Sequence, residues 1–502
     1  MLTEVENKNV LFVYPEYPPT FFSFKHSLHF ISRKAALPPL GLITVSALLP
    51  PTWKKRLVDL NTSPLLPDDL QWADYVFISA MHIQKESVKM IIRECLQFEV
   101  KIVAGGPLFT HDMDNYPQVD HFILNEAEVT INPFLDDLTI GRRLKRVYET
   151  GSYADLRYSP APDFYLLERK SYASMSLQIS RGCPFSCDFC EITSMLGQKV
   201  RLKQTDQVLK ELDALYRFKW RGSVSIVDDN FIGNKNEIKN HLLPVIIRWM
   251  RQHKYPFIFN IQTPISLADD PELIRMMLDA GINSTFIGIE TPSELSNQEC
   301  NKIQNTNRNL LQNVRELQNA GMLVSGGFIL GFDSDTTSIF DQQIDFIQQS
   351  GIVWAMIGLL NAPKNTRLYK RLEEENRITT EVTGNNTDFS MNFVPRMSTG
   401  ELLKGYQSVL QNTYTIKPYY NRIRQCLLNL RQTNSKLIRI DRYYLLAFFR
   451  SIFTMGIIGE GRGDFWRVLI WTLWHRPHLF PYTVMFTICG YHFRRLYGLS
   501  EF

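Results

Sequence analysis

Short apolar runs of strand type, separated by helix-compatible stretches, pattern the first 150 residues. Asn9 to Tyr14 reads NVLFVY and runs into the proline-rich YPEYPPT. Similar runs fall at 55–60, 75–79, 101–104 and 121–124, with helical patterns at 41–49 and 86–98. Strands that alternate with helices predict an open parallel sheet with its ligand sites at the carboxyl ends of the strands. Residues 1–150 are therefore expected to form a Rossmann-like domain, with 151–170 as a linker. A second alternation begins near residue 174. Its strand candidates are 174–180, 223–229, 257–263, 284–290, 324–332 and 353–360, and amphipathic helices are expected at 205–218, 271–280 and 306–320. Six such units predict a partial (β/α)6 TIM-like barrel over 171–375, with chemistry at the carboxyl ends of its strands. From 376 to 502 the alternation stops and aromatics and helix formers take over, so a helical C-terminal domain is expected. The fold class is α/β.

A length of 502 residues agrees with two or three domains. A hydrophobic fraction of 44% and a charged fraction of 21% are those of a globular chain. The opening MLTEVENKNV has no basic stretch before an apolar run, so no signal peptide is expected and the location is read as cytoplasmic. The net charge of +4 conceals an asymmetry: residues 415–502 hold 13 Lys/Arg against 4 Asp/Glu, or +9, which leaves −5 elsewhere. Within that basic tail, 439–453, 465–474 and 479–493 are apolar stretches interspersed with arginines. None is long and clean enough to cross a membrane, because the uncharged stretch 477–493 holds two prolines and two histidines. Two readings stay open for the tail: a basic aromatic surface at the inner face of an anionic membrane, or a helical cap on the barrel. No nucleic-acid-binding module is recognisable.

Of seven cysteines, three crowd into eight positions, which points to metal binding in a reducing compartment rather than to disulfides. The sequence is Ser180-Arg181-Gly182-Cys183-Pro184-Phe185-Ser186-Cys187-Asp188-Phe189-Cys190. Chance would give such a C-x3-C-x2-C triplet about 0.001 times in a chain of this composition. Three thiolates on one loop can ligate three corners of a [4Fe–4S] cluster and leave one iron open. Zinc is the bland alternative, but it usually takes two pairs, and Cys95, Cys300, Cys426 and Cys489 form no second pair. Other polar signatures fall at strand ends: Val227-Asp228-Asp229-Asn230-Phe231, Gln262 with Ser266, and Gly288-Ile289-Glu290-Thr291. Gly326-Gly327 lies inside a strand, where glycine marks close backbone approach or a bulge.

The cysteine loop at the end of the first barrel strand resembles the signature of the radical S-adenosylmethionine superfamily. The resemblance implies that Cys183, Cys187 and Cys190 hold the cluster and that Phe189 packs near the adenine. It also implies S-adenosylmethionine contacts from Asp228, Asp229, Gln262, Glu290 and Gly327. A Rossmann-like domain ahead of such a barrel is similar to the cobalamin-binding class. Ser79, His82, Gly105, Gly106 and Glu126 would then surround cobalamin, although the Asp-x-His-x-x-Gly motif that supplies an axial histidine elsewhere is absent. Further stretches, among them KAALPPLGL at 34–42, 301–307, 346–351 and 406–420, resemble the class B methyltransferase-like group with an uncharacterised C-terminal domain, which includes the hopanoid C-2 methylase. Pro363-Lys364-Asn365-Thr366 departs from that group's Pro-Pro-Gly-Thr, so a different loop is expected there.

The implied activity is methyl transfer to an unactivated carbon of a small-molecule or lipid substrate, fed by a low-potential donor such as flavodoxin or ferredoxin. One S-adenosylmethionine supplies the methyl group and a second supplies the radical, so no general acid–base residue is assigned. Two alternatives remain: a cobalamin-assisted radical oxidation or rearrangement, and a non-catalytic iron–sulfur or zinc protein.

Overall fold

Runs that are apolar on both sides become strands buried on both faces. Val10 and Phe12 of NVLFVY face one hydrophobic cluster while Leu11 and Val13 face another. In the computed structural model, residues 7–431 and 442–499 are described; residues 439–441 of the apolar stretch 439–453 lie outside them. The chain forms two units.

The first unit comprises 7–18, 37–172 and 201–220. Its strands are β1 (Asn9–Tyr14), β2 (Lys54–Asp59), β3 (Tyr75–Ser79), β4 (Lys101–Gly105), β5 (His121–Ile123) and β6 (Val147–Tyr148). They form one parallel sheet in the order β2-β1-β3-β4-β5-β6, a doubly wound arrangement with its switch point at β1/β3. Helices α1 (Leu40–Leu48), α2 (Lys85–Gln97) and α3 (Ala127–Thr139) belong to this unit, as does α4 (Thr205–Arg217). The expected linker 151–170 is a series of short 3-10 turns that bury Leu156 and Phe164, and Gln207 of α4 donates to the Leu156 and Ser159 carbonyls at 3.0 Å each.

The second unit comprises 19–36, 173–200 and everything from 221 onward. Strands β7 (Met175–Leu177), β8 (Gly222–Ile226), β9 (Phe257–Gln262), β10 (Ile282–Glu290), β11 (Leu323–Leu330) and β12 (Ala355–Leu359) form a parallel sheet in strict chain order, the open partial barrel expected. Helices α5 (Leu243–Gln252), α6 (Pro271–Asp279), α7 (Leu310–Ala320) and α8 (Ser338–Ser350) connect the strands. The predicted helix 306–320 starts later than expected, because Asn309 caps it by accepting from the Gln312 amide at 3.0 Å. The first predicted strand stops at Leu177, two residues short of the point where the Asp228 carboxylate takes the Ile179 amide.

After α9 (Arg367–Glu374), the C-terminal region is helical: α10 (Thr399–Tyr414), α11 (Ile416–Asn429), α12 (Arg442–Ser451), α13 (Arg462–His475) and α14 (Phe480–Leu496). Segment 19–36, expected within the N-terminal domain, packs instead with this region. Phe21 stacks on Phe493 with ring centroids 4.5 Å apart, and Phe30 meets Tyr491 edge-on at 5.4 Å. Its FFSFKHSLHF sequence carries more aromatic surface than a connecting loop can leave in water. Asn365 stands where the resembled group has glycine, and it adopts a left-handed φ of 69°. Asparagine tolerates that conformation better than other non-glycine side chains, so Asn365 can hold a left-handed turn here.

Candidate active site

The cysteine loop leaves the sheet through Ser180 and Arg181 and turns at Gly182, whose φ is 93°. A Cβ at Gly182 would lie 2.8 Å from the Lys199 carbonyl oxygen and 2.9 Å from that of Gly197, so the turn requires glycine. Cys183 N–H donates to Gly197 O at 3.2 Å, and Cys190 N–H donates to Cys187 O at 3.1 Å. Two later segments brace the loop from outside. Asp188 N–H donates to Cys300 O at 3.0 Å and Asn301 Nδ2 donates to Ser186 O at 2.9 Å. At the start of α9, Leu368 N–H donates to Asp188 O at 2.9 Å. The Pro363–Thr366 turn thus positions a support for the thiol loop.

All three loop thiols are free and partly exposed. Burial pushes the Cys190 thiol up to about 12 and raises Cys183 as well. A bound cation must therefore supply the field that ionises them. One tetrahedral zinc ion with Zn–S bonds of about 2.3 Å would draw sulfurs to within roughly 4 Å of one another. Among the described residues the three sulfurs are not gathered within 4.8 Å of each other, as a cluster with its irons spread apart allows. Cys300 lies close by but is buried, with its sulfur turned to the Asn297 carbonyl at 3.6 Å.

Residues from the strand ends surround the loop. The two aspartates expected to act together diverge. Asp228 is wholly buried, and its oxygens accept from Ile179 N–H at 2.7 Å and Ser180 Oγ at 2.6 Å. Burial raises it to about 7 against those hydrogen bonds. Both of its oxygens thus brace the chain entering the cysteine loop. Asp229 is also lifted by burial, to about 6, and its Oδ2 is buried without a partner. Asn230 and Gln304 reach the thiols: Asn230 Nδ2 is 3.8 Å from Cys183 Sγ and Gln304 Nε2 is 3.5 Å from Cys187 Sγ. Their amide oxygens are likewise buried and unpartnered. Three orphaned acceptors beside three free thiols fit a bound group that carries donors, such as the ammonium of an amino acid.

Glu290 occupies a left-handed φ of 59° at the end of β10 and pairs with Lys302, its Oε1 2.5 Å from Lys302 Nζ. A Cβ at Gly288 would fall 2.2 Å from that same oxygen, so Gly288 makes room for the pair. Burial opposes the Lys302 charge, but Glu290 and Cys187 outweigh it and hold the ammonium above its usual range. Lys302 also lies 5.8 Å over the ring of Phe189, which meets Phe332 edge-on at 6.3 Å. Glu290 is therefore committed to a lysine rather than free for a ribose. Gln262 is exposed at the end of β9, where it pairs in register with Phe286 of β10 and its carbonyl accepts from Phe231 N–H at 2.9 Å. Gly327 gives space to Phe286, whose ring would stand 3.0 Å from a Cβ there. Asn230 lies in a motif marked in the sequence but without a role of its own, and Lys302 and Gln304 were not singled out. The amide-rich run after Glu290, with one lysine in it, was the available signal.

In the first unit, the glycine pair has reasons within the fold. A Cβ at Gly105 would lie 2.7 Å from Ile123 O, and Gly106 has φ 90° with its Cβ position 2.7 Å from Ser79 Oγ. These positions accommodate neighbouring strands, where the reading expected room for a ligand. Ser79 stands at the carboxyl end of β3 with its hydroxyl unengaged among the described residues. His82 Nδ1 lies 3.3 Å from Asp112 Oδ2, and its ring stacks on His111 with centroids 5.6 Å apart. Glu126 accepts from Arg201 Nη1 at 2.7 Å and from Ala154 N–H at 2.6 Å, so it is a structural pairing rather than a free ligand carboxylate.

A parallel barrel that carries three free thiols on one loop, with unpaired acceptors around them, defines a site for an iron–sulfur cluster and a chelating small molecule. Comparison with known proteins specifies it further. Residues 177–347 match the family model described as the radical SAM superfamily, and residues 366–499 match one described as a domain of unknown function, DUF4070. An uncharacterized methyltransferase of Synechocystis sp. is 37% identical over 488 residues, 96% of this chain and 90% of that protein. The hopanoid C-2 methylase of Rhodopseudomonas palustris is 35% identical over 376 residues, 74% of this chain and 71% of that one. The solved structure of the cobalamin-dependent S-adenosylmethionine radical enzyme OxsB, with aqua-cobalamin and S-adenosylmethionine bound, shares the fold at a TM-score of 0.62 and 16% identity. It covers 95% of this chain and 80% of its own. The chain belongs to the radical SAM superfamily of enzymes, in the group that holds these two methyltransferases.

Proposed function

We propose that this protein is a cobalamin-dependent radical S-adenosylmethionine methyltransferase that places a methyl group on an unactivated carbon of a lipid. One observation carries the chemistry. Three free thiols on a braced loop meet three unpartnered buried acceptors, Asp229 Oδ2, Asn230 Oδ1 and Gln304 Oε1. Cys183, Cys187 and Cys190 would hold a [4Fe–4S] cluster, which supplies one electron at low potential to break the sulfonium C–S bond. Asp229 would accept from the methionine ammonium of S-adenosylmethionine. Phe189 would offer its ring to the adenine, and Asp228 holds the loop entry rigid. Lys302 places a fixed positive charge beside the loop, which favours the thiolate forms of Cys183 and Cys190 against their burial. On the first unit Ser79 offers an unengaged hydroxyl at a strand end, the position at which a doubly wound sheet binds its ligand. Cobalamin bound there would carry the methyl group.

The lipid substrate rests on the 35% identity to a hopanoid methylase. A flavodoxin or ferredoxin is the matching electron donor, and location at the inner face of the membrane suits such a substrate. The reading is tested with anaerobic enzyme, reductant, cobalamin and S-adenosylmethionine labelled in its methyl group, incubated with a lipid extract. Label in a lipid product together with 5′-deoxyadenosine supports it. Release of 5′-deoxyadenosine with label confined to the cofactor and its breakdown products contradicts methylation.

A further inference from the structure

Helix α13 is apolar on both sides. Its inner side buries Phe465, Val468, Leu469 and Thr472, with Thr472 Oγ1 accepting from Thr483 of α14 at 3.1 Å. Its outer side presents Trp466, Ile470, Leu473 and Trp474, spaced as one helical face and all exposed, with Trp474 81% accessible. The chain before it repeats the pattern: Phe449 in α12 and Phe453 in the π-helical turn Ile452–Ile458 that continues it are 63% and 59% accessible. The two stretches are tied together: Trp466 Nε1 donates to Gly456 O at 2.9 Å. Exposed apolar faces of this extent on adjoining helices mark an interaction surface.

Charge identifies the occupant. Residues 442–496 contain seven arginines and no lysine against two acids, Glu460 and Asp464. Arg462 and Arg467 are exposed at the start of α13, beside the apolar face; Arg467 also pairs with Asp464 one turn before it, a surface pair that headgroups can exchange. A second copy of the chain would bring these like charges together. Anionic headgroups would neutralise them while tryptophan and phenylalanine rings enter the acyl boundary. Among the described residues no helix is long and apolar enough to cross a membrane, so this face would lie in the interface plane.

We infer that the outer face of α12–α13 docks the protein onto an anionic lipid bilayer. This rests on the reading of a lipid substrate and names the surface by which the enzyme reaches it. The test is flotation of the full-length, cluster-loaded protein with phosphatidylcholine vesicles, with and without about one third phosphatidylglycerol. Wild type should float with the anionic vesicles at least about tenfold more than with the neutral ones, and release on raising salt. The W466S/W474S pair should lose at least about tenfold of that binding, and R462E/R467E should lose the preference for anionic lipid. Absence of vesicle binding, or binding unchanged by both pairs, overturns the inference. So does a dimer in sedimentation that W466S/W474S dissolves. Cleavage of S-adenosylmethionine by the same proteins in detergent reports on the chemistry separately. Normal cleavage without vesicle binding rejects the surface alone, and vesicle binding without cleavage rejects the proposed chemistry alone.

Discussion

Adjacent residues of identical chemistry take different tasks when backbone geometry turns them apart. Asp228 gives both oxygens to Ile179 and Ser180, whereas Asp229 keeps one buried oxygen unengaged. Asp229→Asn should therefore retain iron and sulfide but raise the S-adenosylmethionine concentration needed for half-maximal cleavage by about tenfold, the loss of one charge-assisted hydrogen bond. Asp228→Asn should lower chemical stability by about 1–3 kcal/mol, since one buried donor loses its acceptor; urea midpoints measure this. Lys302→Met strips the partner from a buried Glu290 and should cost about 3–5 kcal/mol, while adding Glu290→Gln to it should restore more than half. A double variant as unstable as the single one would show that the pair is not what Lys302 supports. The thiols were legible in the sequence because their spacing is local to one loop. Lys302 and Gln304 were not, because they reach that loop only through the tertiary fold.

At the scale of elements, periodicity placed five strands of the first sheet and all six of the second, because apolar runs bounded by turns are decided locally, and it missed the two-residue edge strand β6. It failed where a segment finds its partners far along the chain. Segment 19–36 falls inside the expected first domain, 1–150, yet it docks on α14, where the buried His492 sits. His492 Nε2–H donates to Thr20 O at 3.0 Å and its Nδ1 accepts from His26 N–H at 3.3 Å, which fixes a neutral ring. Burial lowers its pKa from 6.5 to about 4, partly offset by the Thr20 hydrogen bond. The unfolded chain gains this proton near pH 6.5 and the folded one only near 4, so stability is full above that window and falls as pH descends through it. The loss amounts to about 3 kcal/mol at most. His492→Gln should flatten that dependence, which urea midpoints of both proteins at pH 7.5 and pH 5 compare; parallel slopes would remove His492 as the cause. Helix α4, expected among the barrel helices, and the 151–170 turns, expected as a linker, meet through Gln207, a side-chain contact that no periodicity reveals.

Across the whole molecule, the chain holds a doubly wound sheet, an open barrel and a helical C-terminal region, and one relative named as an uncharacterized methyltransferase is 37% identical over 96% of it. The resemblance legible in the cysteine spacing thus extends to the full architecture. Sequence pattern alone left open a membrane surface or a cap for the basic tail; the inner stripe of α13 packs as a cap would, and its outer stripe is the exposed face proposed above to meet a bilayer. The central claim is that Cys183, Cys187 and Cys190 hold a cluster that cleaves S-adenosylmethionine to methylate a carbon. The most direct measurement follows 5′-deoxyadenosine and methyl label together, under anaerobic reduction, in wild type and in a variant with all three cysteines changed to alanine. Wild type should yield both, and the variant should lose cleavage by at least about a thousandfold along with its iron. Cleavage that persists in the variant, or a wild type whose metal is zinc, would contradict the account.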